Sequence, residues 1–143
     1  MTESRSTTRF EEVVYREQAN LRCALRAYLH NSEQHAREAG ITPQQYLLLL
    51  VTRGHEYYPR VTIGDLADAL KLAPSATSLL VDRAVKRSLL QRQEDQSDRR
   101  KFLVTLTAQG QDLLDRVTEA HLEETERLEK TLHDILARTT GSK

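Results

Sequence analysis

The chain has one cysteine, no tryptophan, three prolines and five glycines among 143 residues. Each shortage removes a class of protein. A lone Cys23 cannot close an internal disulfide, and without further cysteines a structural zinc site has no ligand set. The five histidines (His30, His35, His55, His121 and His133) show no H-x-x-x-H spacing and have no Cys partners, so no metal site is expected. Glycine is too sparse for a phosphate-cradling loop. No nucleophile elbow or zincin motif is present, so the expectation is a non-enzyme without cofactors. No apolar run approaches the ~18 residues of a membrane span and no secretory leader is evident, which predicts a soluble cytoplasmic protein.

Net charge is zero, with 21 basic residues against 21 acidic ones. The distribution is uneven. Residues 60 to 101 carry nine basic and six acidic side chains, net +3, whereas the stretch from 111 onward carries five and eight, net −3. A basic middle between neutral and acidic ends suits a protein that turns one surface toward a polyanion. The length and the 38% hydrophobic content fit one domain over 1–143 with one core.

Residues 1 to 8 are small and polar and are expected to fray. From Phe10 to about Glu38 there is no Gly or Pro, and Val13, Val14, Leu21, Ala24, Leu25, Tyr28 and Leu29 recur at helical spacing, predicting a long amphipathic helix that Gly40 ends. Thr42, Pro43 and Gln45 supply an N-cap, a proline at the first helical position and a capping-box partner for a second helix through YLLLLV. Val61 starts a short strand, and Thr62 caps a third helix, IGDLADALKL, with Asp65 in its first turn. Pro74 restarts a helix running SATSLLVDRAVKRSLL. Two helices joined so tightly form a helix-turn-helix.

On the second helix of that pair, Thr77, Leu80, Val81 and Ala84 face inward. Ser75, Ala76, Ser78, Leu79, Asp82, Arg83 and Lys86 look outward. The outward N-terminal half is small, apolar or hydroxylic, as close approach to base edges in a major groove requires. Then LLQRQEDQSDRRKFLVTLT reads as strand, turn, strand, with Phe102, Val104 and Leu106 alternating with Lys101, Leu103, Thr105 and Thr107. A ribbon beside a helix-turn-helix is a wing, whose tip would bring Arg99, Arg100 and Lys101 to phosphates or a minor groove. Asp95 and Asp98 brace its turn through Asx bonds or by orienting an arginine. From Thr107, a helix with Leu113, Leu114, Val117, Leu122, Leu128, Leu132, Ile135 and Leu136 continues for roughly 40 Å. Its stripe, like that of the first helix, exceeds what one small domain covers, so both are expected to pair with a second copy. The fold class is therefore mainly α with a small β-hairpin: a winged helix-turn-helix (42–107) flanked by dimerisation helices (9–40 and 108–137).

From about Leu21 to Leu136 the sequence resembles the MarR family of winged-helix regulators. The resemblance rests on LVDR in the recognition helix, D-x-x-D-R-R in the wing and LT-x-x-G at the last helix, in this order and spacing. It implies an obligate homodimer of the repressor type, binding a pseudo-palindromic double-stranded DNA operator. By position, Ser75, Ala76, Ser78 and Leu79 face bases, Arg83 a base or phosphate, and Arg99 and Arg100 the minor groove or its walls. It also implies release by a small aromatic or phenolic anion, for which Arg22, Arg26, His30, Tyr46, Tyr57 and Tyr58 are the candidates. Three positions depart from the pattern. Ala73 weakens the cap of the recognition helix, Leu79 suggests a thymine-methyl contact in place of a polar one, and Ser88 in place of glycine predicts a looser turn into the wing.

Cys23 sits 18 residues before Ile41 in LRCALRAY, unlike the apolar cysteine motif of the peroxide-sensing branch, and is read as a buried structural thiol. The rival to DNA binding is a winged-helix protein-interaction module. Leu79 leans toward it, and Arg83, Arg99 and Arg100 lean against it.

Overall fold

The computed structural model describes residues 9–140; the start expected to fray, residues 1 to 8, lies outside them. In chain order the elements are α1 (Glu12–Glu38), α2 (Pro43–Arg53), β1 (Val61–Thr62), α3 (Ile63–Leu70), α4 (Pro74–Lys86), β2 (Leu90–Glu94), β3 (Phe102–Leu106) and α5 (Ala108–Thr140). The chain divides into two compact units. One spans Ser32–His121; the other joins the chain up to Asn31 with the chain from Leu122.

Local chemistry sets the ends of the helices in the larger unit. The Thr42 hydroxyl accepts from Gln45 N–H while the Gln45 side chain accepts from Thr42 N–H, which closes the capping box of α2. Thr62 and Asp65 repeat the arrangement on α3, so Asp65 completes a cap as well as meeting the helix dipole. Ala73 offers α4 no side-chain cap, as expected, and Pro74 alone marks its start. Two helices end earlier than their patterns suggest. α3 stops at Leu70 because Lys71 turns left-handed (φ 56°), and α4 stops at Lys86 rather than continuing to Leu90.

The turn after α4 corrects the expectation drawn from Ser88. Ser88 adopts φ 60°, the left-handed conformation usually left to glycine. Its N–H reaches the Val85 carbonyl and the Leu89 N–H reaches Ala84, both at 2.9 Å. The turn is thus as tight as a glycine would make it, at the cost of some backbone strain.

The sheet has the order β1-β3-β2, antiparallel throughout. Val61 pairs with Val104, and Leu90, Arg92 and Glu94 face Leu106, Val104 and Phe102 across the hairpin. Leu48, Leu49, Val61, Leu66, Val81, Leu89, Leu90, Val104, Leu114 and Val117 are fully or almost fully buried in one cluster. Each such side chain contributes about 1.5–3 kcal/mol when removed from water. The buried face of α4 is Thr77, Val81 and Ala84, with Leu80 half-buried, and the Thr77 hydroxyl donates to the Ala73 carbonyl.

In the smaller unit the outer parts of α1 and α5 pair. Tyr28 and Thr125 share a 3.0 Å hydrogen bond, Arg138 meets Glu17 at 3.4 Å, and Ile135 is buried. Much apolar surface stays open on this pair: Val13, Val14, Leu25, Leu29, Leu122 and Leu136 are 38–63% exposed. Cys23 is also exposed, so the reading of a buried thiol is wrong. The apolar spacing of α1 marks a stripe without showing what covers it, and the described residues leave Cys23 uncovered.

Candidate nucleic-acid interface

α4 and the β2–β3 hairpin present one surface of the larger unit. Ser75, Ala76, Leu79 and Arg83 are exposed on α4, Leu79 by 51%. Arg83 makes no ion pair among the described residues, and it lines a groove of about 140 Å³ with Thr42 and Gln44 from the start of α2. Its sequence neighbour Asp82 is engaged elsewhere.

Ser78 differs from the free face expected of it. It is half-buried, and its hydroxyl accepts a 2.9 Å hydrogen bond from an Arg92 guanidinium nitrogen. The other arm of Arg92 meets Asp82 at 2.8 Å, and the guanidinium lies 5.7 Å from the Phe102 ring centre. Sequence reasoning passed over Arg92. Two signals could have found it: Ser78 and Asp82 are four apart and share a helix face, and Arg92 alternates with buried Leu90 on the strand face turned to the helix.

The hairpin tip is held from below. The Asp95 carboxylate accepts from Ser97 N–H (3.0 Å), from the Ser97 hydroxyl (2.8 Å) and from Arg60 (3.2 Å). The Ser97 backbone N–H and then its hydroxyl hold the Asp95 carboxyl below the ordinary aspartate range; Arg60 adds to this and burial opposes it. Asp98 accepts from both the backbone N–H and Nε of Arg100. Both aspartates therefore brace the turn as expected, but the arginine on Asp95 is Arg60, from the loop before β1. Arg99, Arg100 and Lys101 are all exposed at the tip, the Arg100 side chain by 92%.

Further back, Arg87 ties the end of α4 to the start of α2. It donates to Gln45 Oε1 at 2.7 Å and to the Gly40 carbonyl at 2.8 Å. The start of α5 seats on the wing base, where the Thr107 hydroxyl donates to the Ser88 carbonyl and accepts from Gly110 N–H.

Of the six effector candidates, Tyr46, Tyr57 and Tyr58 stand in the larger unit and Arg22, Arg26 and His30 in the smaller one. Tyr46 is buried in the core, Tyr58 packs under Arg53 and receives the Leu106 N–H, and Tyr57 lies exposed against His55. Arg22, Arg26 and His30 are exposed on the part of α1 in the smaller unit. A cavity of about 210 Å³ in that unit is lined by Tyr28 and Arg127, neither of which is among those six. Of the remaining histidines, His121 is buried with its ring 5.5 Å from His35, and His133 is exposed.

A recognition-type helix flanked by a three-stranded wing makes this a winged helix-turn-helix protein. Residues 39–101 match the model of the MarR family. A curated relative, the HTH-type transcriptional repressor MdtR of Bacillus subtilis, is 30% identical over 71 residues, which is 50% of this chain but only 44% of that protein. The chain thus spans less than half the length of that relative. Among solved structures, RV1404 from Mycobacterium tuberculosis is 28% identical with a TM-score of 0.72, covering 94% of this chain and 97% of that one. The structure of Bordetella bronchiseptica BpsR, described as regulated in its DNA binding by 6-hydroxynicotinic acid, shares the fold at 23% identity and a TM-score of 0.62, over 86% of this chain and 91% of that one. These comparisons support a MarR-type winged helix-turn-helix regulator, with the family match confined to residues 39–101.

Proposed function

We propose that this chain is a cytoplasmic, sequence-specific DNA-binding transcriptional regulator, acting as a repressor. In this reading the whole chain works as one domain: 42–107 is the winged helix-turn-helix, and the helices over 9–40 and 108–137 join two copies. The observation that carries the reading is the pairing of an exposed, small-residue face on α4 with a wing tip that leaves Arg99, Arg100 and Lys101 open to solvent. Ser75, Ala76, Ser78 and Leu79 meet base edges in the major groove, Arg83 a phosphate or base, and the wing the adjacent backbone or minor groove. The relatives named as a transcriptional repressor and as a DNA-binding protein support it.

Homodimerisation is supported by the open apolar stripe on α1 and α5 of the smaller unit, since a stripe of this extent marks an association surface. A two-fold dimer reads a pseudo-palindrome with half-site centres about 10 bp apart. Release by a small aromatic or phenolic anion is supported by the ligand named for BpsR, and by a tyrosine and an arginine lining one cavity. Exposure of Leu79 and Leu72 favours the second reading, a protein-interaction module.

The test is salt-dependent binding of duplex DNA by Arg100→Ala and by the unaltered chain. DNA binding predicts weaker affinity for every sequence and a log–log salt slope reduced by about 0.9 for each lost phosphate contact, roughly 1.8 for the two copies in a dimer. An unchanged affinity and slope would favour the interaction module.

A further inference from the structure

Among the described residues Arg92 is the one cation that joins the wing to the reading face of α4, and its bonds constrain what Ser78 can do. A serine hydroxyl has one donor and two acceptor sites. One acceptor site of Ser78 is taken by the Arg92 guanidinium. Thr77, one residue earlier, spends its own hydroxyl proton on the Ala73 carbonyl. Ser78 has no other bond among the described residues, so its proton is not spent within the chain. A hydroxyl that accepts from a cation is polarised toward donating.

We propose that Arg92 is a positioning residue that biases Ser78 toward hydrogen-bond donation, so that Ser78 favours a base offering an acceptor in the major groove over cytosine. This rests on the reading that α4 faces DNA. Guanine offers N7 and O6, adenine N7, and thymine O4, whereas cytosine offers only its N4 donor. Asp82 holds the second arm of Arg92, and Phe102 lies beside the same guanidinium, so the fork is fixed from the helix and from the strand. Because Arg92 stands on β2, the hairpin that carries the phosphate-binding tip also sets the chemistry of a base-reading group. The wing thus acts on sequence preference without touching a base.

The experiment selects duplexes from one randomised library with the unaltered full-length chain, Ser78→Ala, Arg92→Gln and Arg92→Lys. It then measures each winner and its single-base variants at two salt concentrations. The unaltered chain is expected to disfavour cytosine at one position in each half-site. Ser78→Ala reduces that discrimination roughly fivefold, the worth of one net hydrogen bond, with the salt slope unchanged. Arg92→Gln relaxes the same position and no other. Arg92→Lys keeps a cation for Asp82 but loses the fork, and gives the same relaxation; it also decides the matter if Arg92→Gln does not fold. Wild-type preferences in both Arg92 variants would overturn the proposal while leaving DNA recognition standing, as would an even loss at all positions, which marks a purely structural role. If the unaltered chain enriches no sequence, the DNA reading fails and this inference falls with it.

Discussion

Replacing Gly110 by alanine tests whether α5 is seated on the wing base as closely as the structure shows. A Cβ built at Gly110 falls 2.0 Å from the Leu89 carbonyl oxygen and 2.9 Å from its carbon, both backbone atoms that no rotamer change can move. Restoring an ordinary contact requires a retreat of about 1.4 Å. That retreat carries the Thr107 N–H (3.1 Å from Leu89 O) beyond hydrogen-bond reach; the Thr107 hydroxyl, whose one proton goes to the Ser88 carbonyl, adds no second bond. One lost bond costs about 0.5–1.5 kcal/mol, and overpacking against buried Leu89 costs about 1–3 kcal/mol. The better helix propensity of alanine returns about 0.5–1 kcal/mol. The net expectation is a destabilisation of about 0.5–4 kcal/mol, set against the ~5–15 kcal/mol that holds a domain folded. Urea unfolding followed by circular dichroism at fixed protein concentration measures it. A variant with a midpoint equal to or above that of the unaltered chain would refute the close approach.

Other perturbations reach different parts of the account. Ala73→Ser supplies the cap that α4 lacks and is expected to stabilise by about 1 kcal/mol in the same assay. Ser88→Gly relieves a left-handed serine and gains up to about 1 kcal/mol, whereas Ser88→Val loses more than that. Asp95→Asn weakens the wing turn at neutral pH. Because the folded state lowers the Asp95 pKa, its stabilising effect is present above the ordinary aspartate value (~3.9) and is lost as pH falls through the lower folded value. The stability gap between variant and unaltered chain should therefore close on acidification below pH ~3.9, and a gap constant with pH would contradict the assignment. Leu29→Glu places a charge on the open stripe of α1 twice per dimer. At about 1.5–3 kcal/mol for each leucine, sedimentation equilibrium should show a dimer dissociation constant raised at least about 100-fold.

What could be read from the sequence was the local part of the chemistry. The caps at Thr42 and Thr62 are legible because donor and acceptor stand three residues apart, and the wing because alternation over Phe102, Val104 and Leu106 is a property of a few neighbours. The links that fix the reading surface span longer separations. Arg87 reaches Gly40 across 47 residues, Arg60 reaches Asp95 across 35, and Arg92 reaches Ser78 across 14. Among many exposed arginines, no periodicity marks Arg87 or Arg60, and the relation of Arg92 to Leu90 gives its strand face without naming its partner. Exposure was equally out of reach at Cys23, where the helix pattern shows a stripe but not what lies over it. The tyrosines show a related limit: side chains can be grouped by type in the sequence, whereas the fold sends Tyr46 to the core and Tyr57 to solvent.

The central claim is that two copies of α4 and its wing read DNA. Selection from a randomised duplex library with the purified chain, followed by binding of the winner at two salt concentrations, tests it most directly. The account predicts a palindrome with half-sites about 10 bp apart and an affinity that falls steeply as salt rises. Failure to enrich any sequence, with weak binding indifferent to base order, would contradict it.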